Sequence, residues 1–146
     1  MIIVLDANIL ISAILTPKGI LSDILLKGSG LIDFAAPSYI KEEIDSIRSR
    51  ICRKSKIPET YFKEASEMFF DNILIFSSES IQRSDLLRAR ELTKAIDEKD
   101  TIYVALAIAL DSMLWTGDLK LYRSLRRSGF MNVITAKELL EIVNGF

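Results

Sequence analysis

The feature that most constrains the fold is a series of short apolar runs separated by longer segments of helical periodicity. The runs have the length of β-strands and cover residues 2–5, 31–35, 73–76, 113–116 and 133–134. Strands that are apolar at nearly every position are buried on both faces, as in parallel sheets. The alternation therefore predicts an α/β protein with three layers, α/β/α, in which helices cover both faces of a parallel sheet.

Two intervening segments carry a clear helical stripe. Between residues 38 and 52, isoleucines recur at the spacing of one helix face: Ile40, Ile44, Ile47 and Ile51. Between residues 99 and 110 the stripe consists of Ile102, Ala105, Leu106, Ala109 and Leu110. Pro58 suits the first turn of a further helix. No linker, repeat or low-complexity segment interrupts the chain, so we expect a single domain over residues 1–146.

Composition narrows the chemistry, because the chain has no histidine and only one cysteine, Cys52. Disulfide frameworks, Ser–His or Cys–His nucleophiles and imidazole-based zinc sites are thereby excluded. The apolar N-terminal segment has no basic residues before it and contains Asp6 and Asn8, so we interpret it as core and not as a signal peptide. No uncharged apolar stretch approaches the roughly 20 residues of a membrane span. We therefore expect a cytoplasmic protein without a membrane partner.

Acidic side chains follow the strands and precede a helix where open parallel sheets bind ligands. Asp6 follows the first apolar run, and Asp118 follows the fourth. Asp97 and Asp100 directly precede the stripe that starts at Ile102. Because they are three residues apart, they lie on the same side of that helix's first turn. These acids are the first candidates for a shared site.

Periodicity distinguishes two adjacent glutamates in the helix predicted near residues 38–52. At about 100° per residue, Glu43 stands about 70° from the centre of the isoleucine stripe, whereas Glu42 stands nearly opposite it. Glu43 therefore borders the buried face. Several acids at such positions repel one another and need a compensating charge. Carboxylate and water oxygens suit Mg²⁺ or Mn²⁺, and such an ion can promote hydrolysis at phosphorus.

Each acid also has a structural explanation. Asp97 and Asp118 suit helix N-caps, and Asp100 complements a helix dipole. Glu43, like its neighbour, fits a solvated helix face. Asp6 is the exception, because an acid within an apolar run at a strand end has no evident structural role. If the structural explanations were the whole account, several capping or surface acids would have to lie by coincidence on the side of the sheet where ligands bind. A shared site accounts for all of them at once.

The ordered motifs resemble those of the PIN-domain ribonucleases over essentially the whole chain. They are Asp6-Ala7-Asn8-Ile9-Leu10, Glu43 in a helix after Ala36-Pro37, the segment from Asp100 to Ala107, and Trp115-Thr116-Gly117-Asp118. The resemblance implies a central parallel sheet of about five strands and Mg²⁺- or Mn²⁺-dependent cleavage of single-stranded RNA. It also implies a homodimer and, as in many stand-alone members, the toxin role in a toxin–antitoxin pair with a small antitoxin protein as partner.

The resemblance also assigns roles by position. It gives the metal-binding and catalytic acids as Asp6, Glu43, Asp100 and Asp118, with Asp97 as an additional catalytic acid. Asn8 and Thr116 match positions that support the neighbouring acid by hydrogen bonding. Because Glu42 stands beside Glu43, the pattern by itself leaves the second acid ambiguous by one residue.

Basic and aromatic residues suggest contacts beyond the acids. The residues after Asp118 are candidates for RNA-phosphate contact, or alternatively a solvated helix face: Lys120, Arg123, Arg126 and Arg127. Phe62, Phe69 and Phe70 exceed what one helix stripe can bury, so we expect apolar surface to close a two-fold dimer.

Three other function classes compete with the nuclease. The main alternative is a PIN-like module that binds RNA or protein without cutting it, and metal-dependent turnover separates the two. An aspartate-nucleophile phosphatase would carry a second aspartate two residues after Asp6, where this chain has Asn8. A phospho-acceptor receiver would carry a lysine near a late strand end, where this chain has Asp118. Both of these classes are disfavoured.

Overall fold

The five strands of the protein form one sheet in a computed structural model that describes residues 1–28 and 30–145. The strands are β1 Ile2–Leu5, β2 Asp33–Pro37, β3 Leu74–Phe76, β4 Met113–Trp115 and β5 Val133–Ile134. They all pair in parallel, in the order β3-β2-β1-β4-β5. Because parallel neighbours cannot be joined by a tight turn, the connections cross over the faces of the sheet.

Helices occupy these connections and the chain's end. They are α1 Ala7–Leu15, α2 Ile20–Gly28, α3 Tyr39–Ser55, α4 Glu59–Phe70, α5 Arg83–Thr93, α6 Thr101–Ala109, α7 Leu119–Arg127 and α8 Ala136–Gly145. Short 3₁₀ turns, Ser78–Ser80 and Glu98–Asp100, precede α5 and α6. Ile3, Val4 and Leu5 of the central strand are fully buried, so both faces of the sheet are covered. The predicted three-layer α/β/α class is confirmed.

The second strand differs from its prediction in position. It begins at Asp33, two residues later than the apolar run, and ends at Pro37. The pairing with β1 sets where β2 begins, because Asp33 lies opposite Ile2, the first residue of β1.

The aromatic residues of α4 pack inside the domain. Phe62 is fully buried and Phe69 nearly so, while Phe70 is half-buried with the Lys41 ammonium 5.3 Å from its ring centroid. The helix packs against both α1 and α3, and two neighbouring helices bury more than one stripe. Phe62 and Phe69 therefore do not supply the apolar surface of a dimer interface, and the homodimer stays a prediction.

The sheet order places a crevice at the carboxyl ends of β1 and β4. From β1 the chain first continues to β2 on one side, and β4 later pairs on the other side. The direction in which successive strands are added to the sheet thus reverses at β1, and ligand sites of open α/β sheets lie at such a point. The register sets Leu5 beside Trp115, so the next residues, Asp6 and Thr116, leave the sheet side by side.

None of the helices in the described residues is by itself long and apolar enough to cross a membrane. Taken together, α1 and α2 have a suitable length and composition, but the pair is bent by 108° at its break.

Candidate active site

Asp6 is the most deeply buried acid of the crevice, with 5% of its surface exposed. Its Oδ2 accepts a hydrogen bond of 2.7 Å from the Thr116 hydroxyl, and its Oδ1 accepts one of 3.0 Å from the amide of Ile9. The second bond makes Asp6 the N-cap of α1. The expectation that this residue has no structural role is therefore wrong, because a helix starts directly after the strand.

The pKa of Asp6 is raised to about 6. Burial is the main cause, and the negative charges of Glu43 and Asp118 add to it. The hydrogen bonds from Thr116 and Ile9 oppose the shift because they favour the ionised form. At neutral pH Asp6 is therefore ionised although burial and the nearby negative charges both disfavour its charged form.

Asp118 and Asp97 also cap the structures that follow them. The Asp118 carboxylate accepts hydrogen bonds from the amides of Lys120 and Leu121, at 2.9 and 3.2 Å, at the start of α7. The exposed Asp97 accepts one of 3.0 Å from the amide of Lys99. The capping explanation therefore holds for both residues. A cap uses one carboxylate oxygen, and in each case the other oxygen makes no hydrogen bond to the described residues.

Asp100 differs from Asp6, Asp97 and Asp118 because its carboxylate makes no hydrogen bond or ion pair with any described residue. It occupies the N-cap position of α6 without a side-chain cap bond. The side chain is half-buried, and its pKa is raised to about 7. Burial is the largest cause, followed by repulsion from the surrounding carboxylates of Asp6, Asp97, Asp118 and Glu43. The crevice therefore gathers all five predicted acids within one electrostatic neighbourhood.

Glu43 reaches this neighbourhood from α3. Its side chain is half-buried, whereas Glu42 is exposed, as the helical periodicity predicts. The buried hydroxyl of Tyr103 donates a 2.6 Å hydrogen bond to Glu43 Oε1. Burial and the Glu43 carboxylate raise the pKa of Tyr103, so the hydroxyl remains a donor. Tyr103 was not singled out from the sequence, although its place three residues after Asp100 puts both on one face of α6.

The family of the chain follows from its sequence as a whole, since a PIN domain family model matches residues 4–131. The chain belongs to the PIN domain family. PIN domains are generally nucleases, and nucleases are hydrolases. The predicted family resemblance is thereby confirmed.

A solved structure shares the fold of this PIN domain at low sequence identity. It is the crystal structure of VapBC2 from Rickettsia felis bound to a DNA fragment from their promoter. The similarity covers 92% of this chain and 97% of the compared chain, with a TM-score of 0.67 and 21% identity. No curated protein sequence matches the chain.

The donor set of this PIN domain fits a hard divalent cation. All candidate ligands are carboxylates, and the unpaired, half-buried Asp100 lies in the repulsive field of the others. A cation would remove that repulsion. Among residues 1–28 and 30–145, no three acidic side chains lie at metal-ligand distances from a common point. Mg²⁺ keeps several water molecules when bound, so the site does not require three direct carboxylate contacts.

The remaining predicted residues occupy different environments. Asn8 is exposed, and its side chain makes no hydrogen bond with the described residues. Lys120, Arg123 and Arg127 are exposed on α7. Arg126 differs from them, because its guanidinium lies 3.6 Å from Glu138 and 4.9 Å from the ring centroid of Tyr122. Arg126 therefore helps join α7 to α8 and is already paired.

Proposed function

We propose that this PIN domain is a metal-dependent endoribonuclease that hydrolyses phosphodiesters of single-stranded RNA and is the toxin of a toxin–antitoxin pair. The observation that carries the proposal is the Asp100 carboxylate, which is half-buried, unpaired among the described residues and repelled by four other acids. A structural carboxylate is normally stabilised by hydrogen bonds or an opposite charge. The VapBC2 structure, with which the chain shares its fold, supports the pairing with an antitoxin protein.

Asp6, Glu43, Asp100 and Asp118 are proposed to hold Mg²⁺ or Mn²⁺, with Asp97 as an additional acid beside them. When bound, such an ion supplies an activated water and stabilises negative charge on the phosphoryl oxygens. Thr116 keeps Asp6 in place, since its hydroxyl donates to Asp6 Oδ2 and accepts from the amide of Asp118 at 3.1 Å. The support expected from Asn8 stays a prediction of the resemblance.

Phosphate contacts are proposed for the exposed cations of α7. Lys120 follows Asp118 by two residues, and Arg123 and Arg127 are free of ion pairs with the described residues. Such contacts position the strand without reading its sequence. Arg126 is left out of this set because Glu138 already pairs with it.

The experiment that tests the proposal is cleavage of a labelled single-stranded RNA by the purified chain. We expect cleavage with Mn²⁺ or Mg²⁺, none with EDTA, and little on duplex RNA or single-stranded DNA of the same sequence. Tight RNA binding without metal-dependent turnover would contradict the nuclease and identify the chain as a non-cleaving PIN-like binding module.

Replacing Tyr103 with phenylalanine tests whether Glu43 must be held in place. The ring and its packing remain, but the hydrogen bond to Glu43 Oε1 is lost. A long glutamate side chain that is not anchored pays more conformational entropy to bind a cation. We expect Mn²⁺ affinity to fall about 10- to 100-fold, as when an outer-shell partner is removed, with the free energy of unfolding changed by about 1 kcal/mol. Calorimetric Mn²⁺ titration and chemical denaturation measure the two quantities.

The matched control is Tyr122→Phe. The Tyr122 hydroxyl is also coupled to a carboxylate, that of Glu138, which raises the pKa of Tyr122, and this carboxylate lies beside α7 as the partner of Arg126. This variant is expected to keep wild-type Mn²⁺ affinity. Equal Mn²⁺ affinity in Tyr103→Phe and the wild type would show that Tyr103 does not position a metal ligand.

A further inference from the structure

An apolar hollow is lined in part by Glu98 and Lys99, which stand between Asp97 and Asp100 in the chain. Its volume is about 380 Å³, and it is lined by Tyr39, Glu98, Lys99 and Ile102. Its walls are mostly carbon, and Tyr39 leaves 39% of its surface exposed. The large ring therefore remains accessible to a ligand. We call this feature the Tyr39 hollow.

The hollow is built on the two elements that carry Glu43 and Asp100. Tyr39 stands four residues before Glu43 on α3, so the two side chains share a helix face. Ile102 stands two residues after Asp100, in the first turn of α6. A ligand whose phosphate lies at the acids therefore has an apolar surface within reach of its neighbouring groups.

A larger groove continues from the hollow along α5. Its volume is about 580 Å³, it shares Glu98 and Ile102 with the hollow, and its other lining residues are Leu86, Arg90, Thr93, Lys94 and Thr101. Arg90 makes no ion pair with the described residues, while Lys94 lies 3.3 Å from Glu91 on the exposed surface. Cations thus stand along the groove, and another cation, Lys99, stands at the rim of the hollow. This arrangement of cations next to an apolar hollow matches a polyanion whose backbone passes a subsite for an apolar group.

We propose that the Tyr39 hollow is a nucleobase subsite, in which Tyr39 stacks against the base of a nucleotide next to the phosphate that is cut. The inference rests on the proposed function, because the acids define where that phosphate lies. A base is flat and apolar on both faces and is joined to a phosphate on each side. The hollow presents an aromatic face next to acids on one side and cations on the other. Arg90, which makes no ion pair with the described residues, contacts the backbone farther along the same strand.

The subsite also favours a single strand over a duplex. In a duplex the faces of the bases are covered by their neighbours, so a side chain cannot stack on them without unpairing. Stacking on aromatic side chains is tolerant of sequence, because every base has such a face. The hollow therefore supplies affinity and places the strand, without requiring one particular base.

The test uses short single-stranded RNAs that carry the fluorescent base 2-aminopurine at successive positions. Binding is measured in the Asp100→Asn background with Mn²⁺, so that the RNA stays intact. We expect quenching of the fluorescence at one position, retained in Tyr39→Phe and lost in Tyr39→Ala. Stacking of one base on an aromatic side chain corresponds to roughly 5- to 150-fold in affinity, so Tyr39→Ala is expected to weaken binding about 10-fold. Replacing that nucleotide with an abasic residue should weaken wild-type binding equally and leave Tyr39→Ala unaffected.

Tyr61→Ala is the matched control, because Tyr61 is equally exposed, at 40%, but lies on α4 outside the hollow. Unquenched fluorescence at every position, or unchanged RNA affinity in Tyr39→Ala, overturns the base subsite. Unchanged RNA binding together with lost affinity for a co-purifying protein would assign the hollow to a protein segment instead. The fluorescence reports stacking and not turnover, so quenching in Asp100→Asn together with no RNA cleavage by the wild type would contradict the nuclease while leaving the subsite in place.

Discussion

Replacing Asp100 with asparagine is expected to abolish Mn²⁺-stimulated RNA cleavage while leaving the metal-free protein at least as stable as the wild type. The substitution keeps the shape of the side chain and removes one negative charge from a group of acids that repel it. Because Asp100 is half-exposed, solvent screens much of that repulsion, and we expect a gain of no more than about 1 kcal/mol. Cleavage assays and urea denaturation with EDTA measure the two effects.

The thermal response to metal adds a readout that does not depend on turnover. A cation that binds only the folded protein raises its melting temperature. The rise on adding Mn²⁺ should therefore be smaller in Asp100→Asn than in the wild type. If Asp100 served only the helix dipole, the variant would lose stability and keep its metal response. The structure already weakens that explanation, because the carboxylate makes no cap bond.

Asp33→Asn is the matched control for charge removal. Asp33 is exposed at the first residue of β2, on the opposite edge of the sheet from the acids. The Asp33→Asn substitution should leave cleavage, stability and the response to Mn²⁺ unchanged. Wild-type cleavage by Asp100→Asn would leave the proposed mechanism without its central residue.

Periodicity and the strand-end rule predicted the arrangement of the acids well, for a physical reason. In a parallel sheet every strand ends at the same edge, so the placement of Asp6 and Asp118 after apolar runs was enough to bring them near each other. The helical angle likewise distinguished Glu43 from Glu42, because one face of α3 must be buried.

What the sequence did not reveal depends on contacts between distant segments. The bond between Tyr103 and Glu43 joins residues 60 positions apart, and no local pattern encodes it. The pairing of Arg126 with Glu138 depends on where α8 packs, so Arg126 looked as available as Arg127. The burial of Phe62 required knowing that α4 has two helical neighbours.

The capping roles show why the structural and functional explanations of an acid need not exclude each other. Asp6 and Asp118 each begin a helix at the carboxyl end of a strand. The bonds that cap the helix also fix the orientation of the carboxylate. In each residue one oxygen caps the helix, while the second oxygen accepts from Thr116 in Asp6 and makes no hydrogen bond to the described residues in Asp118. A single residue therefore serves both stability and the site.

The stability of the metal-free protein is expected to fall as the pH rises from 5 to 8. The folded-state pKa values of Asp6 and Asp100 are raised to about 6 and about 7, above the ordinary value of 3.8. The folded protein therefore holds protons that the unfolded chain has released, and stability decreases until both groups are ionised. Buried Asp6 alone contributes on the order of 1–2 kcal/mol across this interval. With no histidine in the chain, no other side chain with an ordinary pKa near 6 or 7 masks the change.

Urea denaturation between pH 5 and 8, with EDTA and with Mn²⁺, measures this dependence. The cation favours the ionised carboxylates, so Mn²⁺ should stabilise the protein most at pH 8 and flatten or reverse the slope. Asp100→Asn should reduce the slope in EDTA, because one of the two titrating groups is gone, and Asp33→Asn should preserve it. A metal-free protein that is more stable at pH 8 than at pH 5 would mean that the acids of the crevice are compensated within the folded chain. The same result would remove the electrostatic reason for a cation at Asp100.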